Sequence, residues 1–162
     1  RVRIDGRDYL ADAGFGNSTP TAPLDFDDAN PQPTPLDTFR LVRSDEGHRL
    51  EMQIGADWAP AYDIFSTPRR HGDFAEANVI TSTSPQSPFT QALIMARATR
   101  DARYLLNGKM LTVRAAAGST ERSWFNTPDE LRRAVETVFC LPTEADWQPI
   151  FELFALSETQ IR

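Results

Sequence analysis

Asn107-Gly108 sits between two short β-prone runs, Arg103–Leu106 and Lys109–Ala115. That dipeptide accepts the positive φ values that a two-residue hairpin turn needs, so the flanking runs are set to pair antiparallel. Asp5-Gly6 does the same between Val2–Ile4 and Tyr9–Ala11, and Asp45-Glu46-Gly47 turns the chain between Phe39–Arg43 and Arg49–Ile54. Ala61–Phe65, Gln91–Thr99 and Arg122–Phe125 add further strands. Parallel strands would need crossovers of a dozen residues or more, usually helical. Short strands joined by local turns predict antiparallel sheets or a small barrel instead.

Helices are fewer. Thr127-Pro128-Asp129-Glu130 reads as a helix start: Thr127 can accept from exposed amides, Pro128 fits the first helical position, and Glu130 completes a capping box. Leu131, Val135, Val138 and Phe139 then share one apolar face, and Leu141-Pro142 stops the helix. Asp73 can cap a short helix through Phe74–Ala77 that gives way to a polar run from Thr81 to Pro88. A last helical piece is expected around Asp146–Leu156, broken near Pro149. The stretch from Ser18 to Pro35 holds five prolines and little periodicity, and reads as a long surface loop. The fold class is therefore α+β.

Totals exclude some functions. With 162 residues the chain can form one ordinary domain or two small ones, and ten phenylalanines and three tryptophans can fill a core. A net charge of −6 opposes a nucleic-acid surface, whose phosphates need clustered Lys and Arg. No basic helix suggests a membrane surface, and no run of about 18 apolar residues can span a bilayer. A single cysteine rules out an internal disulfide framework and fits a reducing, cytoplasmic setting. The sequence has no initiator Met or signal peptide, and Arg1-Val2-Arg3-Ile4 already alternates like a strand. It reads as beginning inside a fold.

Candidate chemistry is sparse. His48 in its turn and His71 in Arg69-Arg70-His71-Gly72 read as solvated surface histidines. Neither brings cysteines or paired carboxylates at metal-ligand spacing, so no metal is expected. Cys140, beside Phe139 and Leu141 at a helix end, reads as a buried structural thiol. No phosphate loop, dinucleotide fingerprint or nucleophile elbow is present. Asp12 remains, at the strand end in Tyr9-Leu10-Ala11-Asp12-Ala13-Gly14-Phe15-Gly16. It can be a turn residue that accepts backbone amides, or a carboxylate that orients a histidine. In the second reading the glycines let a ligand approach the backbone and Phe15 walls a pocket.

That segment resembles the D-[VA]-G-F-G motif of the arylamine N-acetyltransferases. Gly55–Tyr62 is similar to the family's G-x-W-x-P-x-Y strand. Asp73–Asn78 followed by Ser82–Phe89 resembles its D-F-…-N-x-x-x-S-T-x-P-x-S-x-F stretch, and Arg103–Gly108 its lid hairpin. The four segments keep the family's order over nearly the whole chain. The resemblance implies an antiparallel β-barrel domain over 1–72, a linking helix and loop over 73–88, and an α/β lid over 89–162. It implies ping-pong acetyl transfer from acetyl-CoA to an arylamine, hydrazine or arylhydroxylamine, by a Cys-His-Asp triad and without metal. Asp12 matches the triad aspartate, Gly14 and Phe15 the acceptor pocket, and Phe89 its second aromatic wall. Thr83 and Ser84 match positions that meet coenzyme A.

One departure is large. The family's R-G-G-x-C cysteine and its histidine both precede this aspartate, and neither His48, His71 nor Cys140 falls in a matching segment. The expectation is a chain that lacks the family's N-terminal helical domain, is inactive alone, and needs that domain as partner. An amide synthase that closes a polyketide macrolactam, or a non-catalytic binding module, are the competing readings.

Overall fold

A computed structural model describes residues 1–150 except 69, 117, 144–146 and 148. The last helical piece expected around Asp146–Leu156 lies almost wholly outside the described residues. Contacts divide the chain into two units. One is Arg1–Pro68 with Ala98–Ala102; the other is Arg69–Arg97 with the residues from Arg103 onward.

The first unit is all β. Strands β1 (Val2–Ile4), β2 (Arg7–Leu10) and β3 (Leu24–Asp25) pair antiparallel in that order. A second antiparallel sheet runs β4 (Gln32–Pro33), β5 (Thr38–Ser44), β6 (Gly47–Ile54), β7 (Asp57–Phe65). At the first turn Asp5 and Gly6 take φ values of 49° and 80°, the left-handed pair that the sequence demands. Leu10, Leu24, Phe26, Phe39, Leu41, Leu50 and Met52 form the buried core of this unit.

The stretch 18–35 is not the surface loop expected. Leu24 is 1% exposed and pairs with Leu10, and Phe26 is buried beside it. What prolines deny in regular hydrogen bonding, Gln32 supplies. Its Oε1 accepts from the Asp25 amide at 2.7 Å, and its Nε2 donates to the carbonyls of Asp25 and Asp28 at 2.9 and 3.0 Å. A side chain takes the place of a strand partner, which hydrophobic periodicity does not register.

One irregularity in β7 matters for the site. Glu51 pairs with Pro60 but Leu50 pairs with Tyr62, so Ala61 is an extra residue. Pro60 has no N–H to give the ladder, and a bulge is where a strand tolerates it. Without the bulge, Ala61 would stand opposite Leu50 and Tyr62 would turn to the other face. With it, Tyr62 stands on the core side and packs against the buried cluster.

The second unit opens with helix α1 (His71–Thr83) and the short α2 (Pro88–Gln91). Helix α1 is longer than expected, starting before Asp73 and entering the polar run as far as Thr83. Asp73 still serves its start, its carboxylate accepting from the Arg70 amide at 2.9 Å. The antiparallel sheet β11 (Thr120–Trp124), β10 (Met110–Ala115), β9 (Ala102–Asn107), β8 (Ile94–Ala98) follows. Gly108, at φ 56°, closes the β9–β10 turn. Helix α3 (Pro128–Thr137) has the capping box read from sequence. Glu130 accepts from the Asn126 and Thr127 amides at 2.7 and 3.2 Å, and Thr127 Oγ1 accepts from the Glu130 amide at 3.3 Å. Leu131 and Val135 bury its apolar face against Leu106 and Leu111, joined by Phe139 just past the helix end.

Candidate functional site: the Asp12 turn

Strand β2 ends at Leu10, whose buried side chain anchors the chain just before the turn. Asp12 then folds the backbone over itself. Its Oδ1 accepts from the Gly14 amide at 2.9 Å and from the Phe15 amide at 3.2 Å. Two amides on one oxygen hold the carboxylate in a single orientation. Gly16 takes φ 93° and its amide donates to Thr19 Oγ1 at 2.7 Å, so a glycine is required there. Gly14 is different, because a Cβ added to it would meet nothing within 4 Å. The turn itself needs one of its two glycines.

The other carboxylate oxygen has a distant partner. Tyr62 Oη donates to Asp12 Oδ2 at 2.7 Å. Burial first, and then that hydrogen bond, push the Tyr62 phenol above its ordinary pKa, so it stays a protonated donor. The Phe15 ring lies 4.5 Å from the Tyr62 ring at 50° while remaining half exposed. Tyr62 closes the segment that resembles the family's G-x-W-x-P-x-Y strand, but nothing in the sequence ties it to Asp12. The two residues are joined by the β7 bulge and not by proximity in the chain.

Asp12 is half-buried and stands between two clefts. One, of about 450 Å³, is lined by Asp12, Phe15, Tyr62 and Ile64 among others. The other, of about 230 Å³, lies against Pro20–Pro23. No Lys, Arg or His among the described residues forms an ion pair with Asp12. Its charge is oriented but not neutralised.

Of the remaining candidates, Thr83, Ser84 and Phe89 lie in the second unit. Thr83 ends α1 with its hydroxyl donated to the Val79 carbonyl at 2.6 Å, and the Ser84 hydroxyl donates to Gln86 Oε1 at 2.8 Å. Phe89 is the second residue of α2 and is 58% exposed, its amide donating to Ser87 Oγ at 3.3 Å. Two readings need correction. His48 is not a solvated turn residue. It pairs within β6, packs edge-on to Phe26 at 5.2 Å, and has its Nε2 buried. Burial, reinforced by Arg43 and Arg1, lowers its pKa. Cys140 is exposed rather than buried. It sits past the helix end at φ 56°, where the reversing backbone turns the thiol outward. Neither lines the clefts at Asp12. His71 begins α1, and its side chain is outside the described residues. No group of three metal-ligating side chains occurs among the described residues, and no helix there is long and apolar enough to cross a membrane.

The family profile described as N-acetyltransferase matches residues 1–147. The chain is 36% identical to the arylamine N-acetyltransferase of Mycolicibacterium smegmatis over 135 residues, covering 83% of this chain and 48% of that protein. This chain belongs to the arylamine N-acetyltransferase family. It spans about half the length of the curated relatives it matches. Its fold overlays the crystal structure of the M. smegmatis N-arylamine acetyltransferase at a TM-score of 0.84 and 31% identity, covering 93% of this chain and 56% of that one. The Mycobacterium marinum arylamine N-acetyltransferase in complex with CoA overlays at 0.77 and 28% identity, over 90% and 51% of the two chains. The α+β arrangement of antiparallel sheets with few helices seen here is thus shared by the overlaid part of those structures.

Proposed function

We propose that the chain supplies the aspartate of a Cys-His-Asp triad in an enzyme that moves acetyl from acetyl-CoA to an arylamine, hydrazine or arylhydroxylamine. The observation that carries this is the state of Asp12. A carboxylate has about four lone-pair positions. Two amides occupy Oδ1 and one phenol occupies Oδ2, which leaves a place on Oδ2 for an imidazole N–H. The cysteine and histidine belong to a part of the protein outside this sequence, consistent with relatives about twice as long.

In that scheme Asp12 fixes the histidine's tautomer and stabilises its imidazolium form, which holds the cysteine as thiolate. The thiolate attacks the acetyl carbonyl, coenzyme A leaves as its thiol with the histidine proton, and an acetyl-cysteine thioester remains. The acceptor nitrogen or oxygen then attacks the thioester, gives its proton to the histidine, and restores the cysteine. Phe15 and Phe89, each more than half exposed, are assigned to acceptor contact, and the open space at Gly14 to close approach of a substrate. Thr83 and Ser84 are assigned to coenzyme A, for which they would exchange the local hydrogen bonds they now make.

The test is CoA release from acetyl-CoA and an aminobenzoate. The complete polypeptide should turn over, and residues 1–162 alone should not exceed buffer. Turnover by the isolated chain would place the nucleophile elsewhere.

A further inference from the structure

We infer that Gln32 is a positioning residue for Asp12: its side chain ties the sheet that carries the carboxylate to the sheet that carries Tyr62. This rests on the function proposed above. Asp12 follows β2 of the first sheet, and Tyr62 lies on β7 of the second. Their 2.7 Å hydrogen bond therefore crosses from one sheet to the other. Such a bond keeps its length only while the two sheets keep a fixed offset. Core side chains constrain that offset loosely, because apolar contact has no direction.

Gln32 supplies the direction. Its backbone belongs to the second sheet, where it pairs with Phe39 of β5. Its side chain serves the first. Strand β3 pairs with the last two residues of β2, Asp25 with Tyr9 and Leu24 with Leu10. The Phe26 amide donates to the Asp8 carbonyl at 3.0 Å, so by the alternation of an antiparallel ladder the Asp25 amide and carbonyl point away from β2. Gln32 Oε1 accepts from that amide at 2.7 Å, and Nε2 donates to that carbonyl at 2.9 Å. One side chain thus holds both backbone groups of a single strand residue, which fixes register as well as distance. The remaining N–H of Nε2 goes to the Asp28 carbonyl at 3.0 Å.

A second tie lies two residues on. Thr34 Oγ1 donates to the Asp37 carbonyl at 2.7 Å and accepts from Thr21 Oγ1 at 3.0 Å. Thr21 lines the smaller cleft at Asp12. The route from Gln32 to the carboxylate is equally short. Leu10, opposite Leu24, stands two residues before Asp12, and Asp12 grips the Gly14 and Phe15 amides, so the turn moves with the end of β2. Releasing β3 lets that turn shift against Tyr62 while the apolar core stays buried.

The test uses the complete polypeptide. Gln32→Met keeps the side chain's length and removes its three hydrogen bonds. Its kcat should fall by about tenfold, less than the hundredfold that a misplacement of about 1 Å can cost, with the KM for acetyl-CoA within about twofold. Alkylation of the active-site cysteine should titrate at higher pH, as in Asp12→Asn. In an Asp12→Asn background the same substitution should cost less than about twofold, because no charge is left to position. Val135→Ala, which opens a cavity in the core of the other unit, controls for lost stability as such and should leave the titration where it is. An equal loss with and without Asp12 overturns the inference, as does an unmoved titration beside a lowered melting temperature. Should Gln32→Met not fold, Gln32→Glu keeps the acceptor for the Asp25 amide and loses both donors, and the same two criteria apply to it. Carbon NMR of labelled tyrosine separates the two claims, since the Tyr62 phenol should titrate at lower pH once its bond to Asp12 slackens. An inactive wild type in which Gln32→Met still lowers the Tyr62 titration sinks the enzyme reading alone. An active wild type in which Gln32→Met moves neither titration sinks the positioning role alone.

Discussion

Asp8 and Asp12 flank the end of the same short strand, yet the fold treats them oppositely. Asp8 takes two hydrogen bonds from Arg3, at 2.9 and 3.0 Å, and is paired with Arg1 as well. Those guanidiniums hold its carboxyl well below the usual carboxylate range. Asp12 takes two backbone amides and one phenol, and no cation among the described residues. Asp8 is a charge already answered. Asp12 is fixed in direction with its charge unanswered, which suits it to orient and stabilise a cation that arrives from elsewhere.

The largest effect should follow from removing the unanswered charge. In the complete enzyme Asp12→Asn keeps the size and loses the support for a thiolate–imidazolium pair. The matching change in a serine protease triad costs roughly 10⁴ in kcat, and a cysteine, being more acidic, should lose on the order of 10²–10⁴. The pH dependence of active-site cysteine alkylation separates this from a folding defect. The thiolate should titrate at higher pH in the variant, with its circular dichroism unchanged. Identical titrations would make Asp12 a turn residue only.

Tyr62→Phe tests whether the phenol belongs to the carboxylate's support. A hydrogen bond to a charged group contributes about 1.5–3 kcal/mol. Urea unfolding should show a loss near the lower end, because Asp12 keeps both amides. Acetyl transfer should fall less than in Asp12→Asn. A loss as large would give Tyr62 a part in the chemistry and blur the contrast with Asp8.

How much of this could be read in advance divides by the range of the interaction. Asp5-Gly6 and the Thr127 cap are local signals that form as their residues require, and Asn107-Gly108 marks its hairpin, although Asn107 ends β9 and the turn residues are Gly108 and Lys109. The Asp12 turn was legible for the same reason, since Gly14, Phe15 and Gly16 lie within its reach. Tyr62 was not, because its contact depends on a bulge that one proline and one extra residue place far along the chain. Leu24 and Phe26 hid in a proline-rich stretch held by a two-residue pairing with β2 and by a glutamine side chain. His48 and Cys140 were misplaced by their neighbours. A turn beside His48 suggested water, yet pairing in β6 buries its Nε2, while apolar residues beside Cys140 suggested a core although its backbone turns it outward.

Phe89→Ala should have a smaller and more selective consequence. Aromatic contact is worth about 0.5–1.5 kcal/mol, so the acceptor's KM should rise by at most about tenfold. Acetylation of the enzyme by acetyl-CoA, followed in single turnover, should change less. Equal damage to both half-reactions would make Phe89 a packing residue.

The smallest effect on activity should come from the answered charge. Asp8→Asn leaves the Asp12 turn untouched, so acetyl transfer in the complete enzyme should stay within about twofold, as expected for a surface ion pair. Its signature lies in acid. The folded carboxyl of Asp8 titrates below its unfolded value, so between those values the unfolded chain binds more protons and stability rises with pH. The contribution is complete above the ordinary carboxylate range and disappears as pH falls through the folded value. Melting temperature measured from neutral pH downward should therefore fall less steeply in Asp8→Asn than in wild type, the two curves converging at the acid end. If the curves stay parallel throughout, the arginines do not hold Asp8 in solution. The contrast with Asp12 would then rest on the amides and the phenol alone.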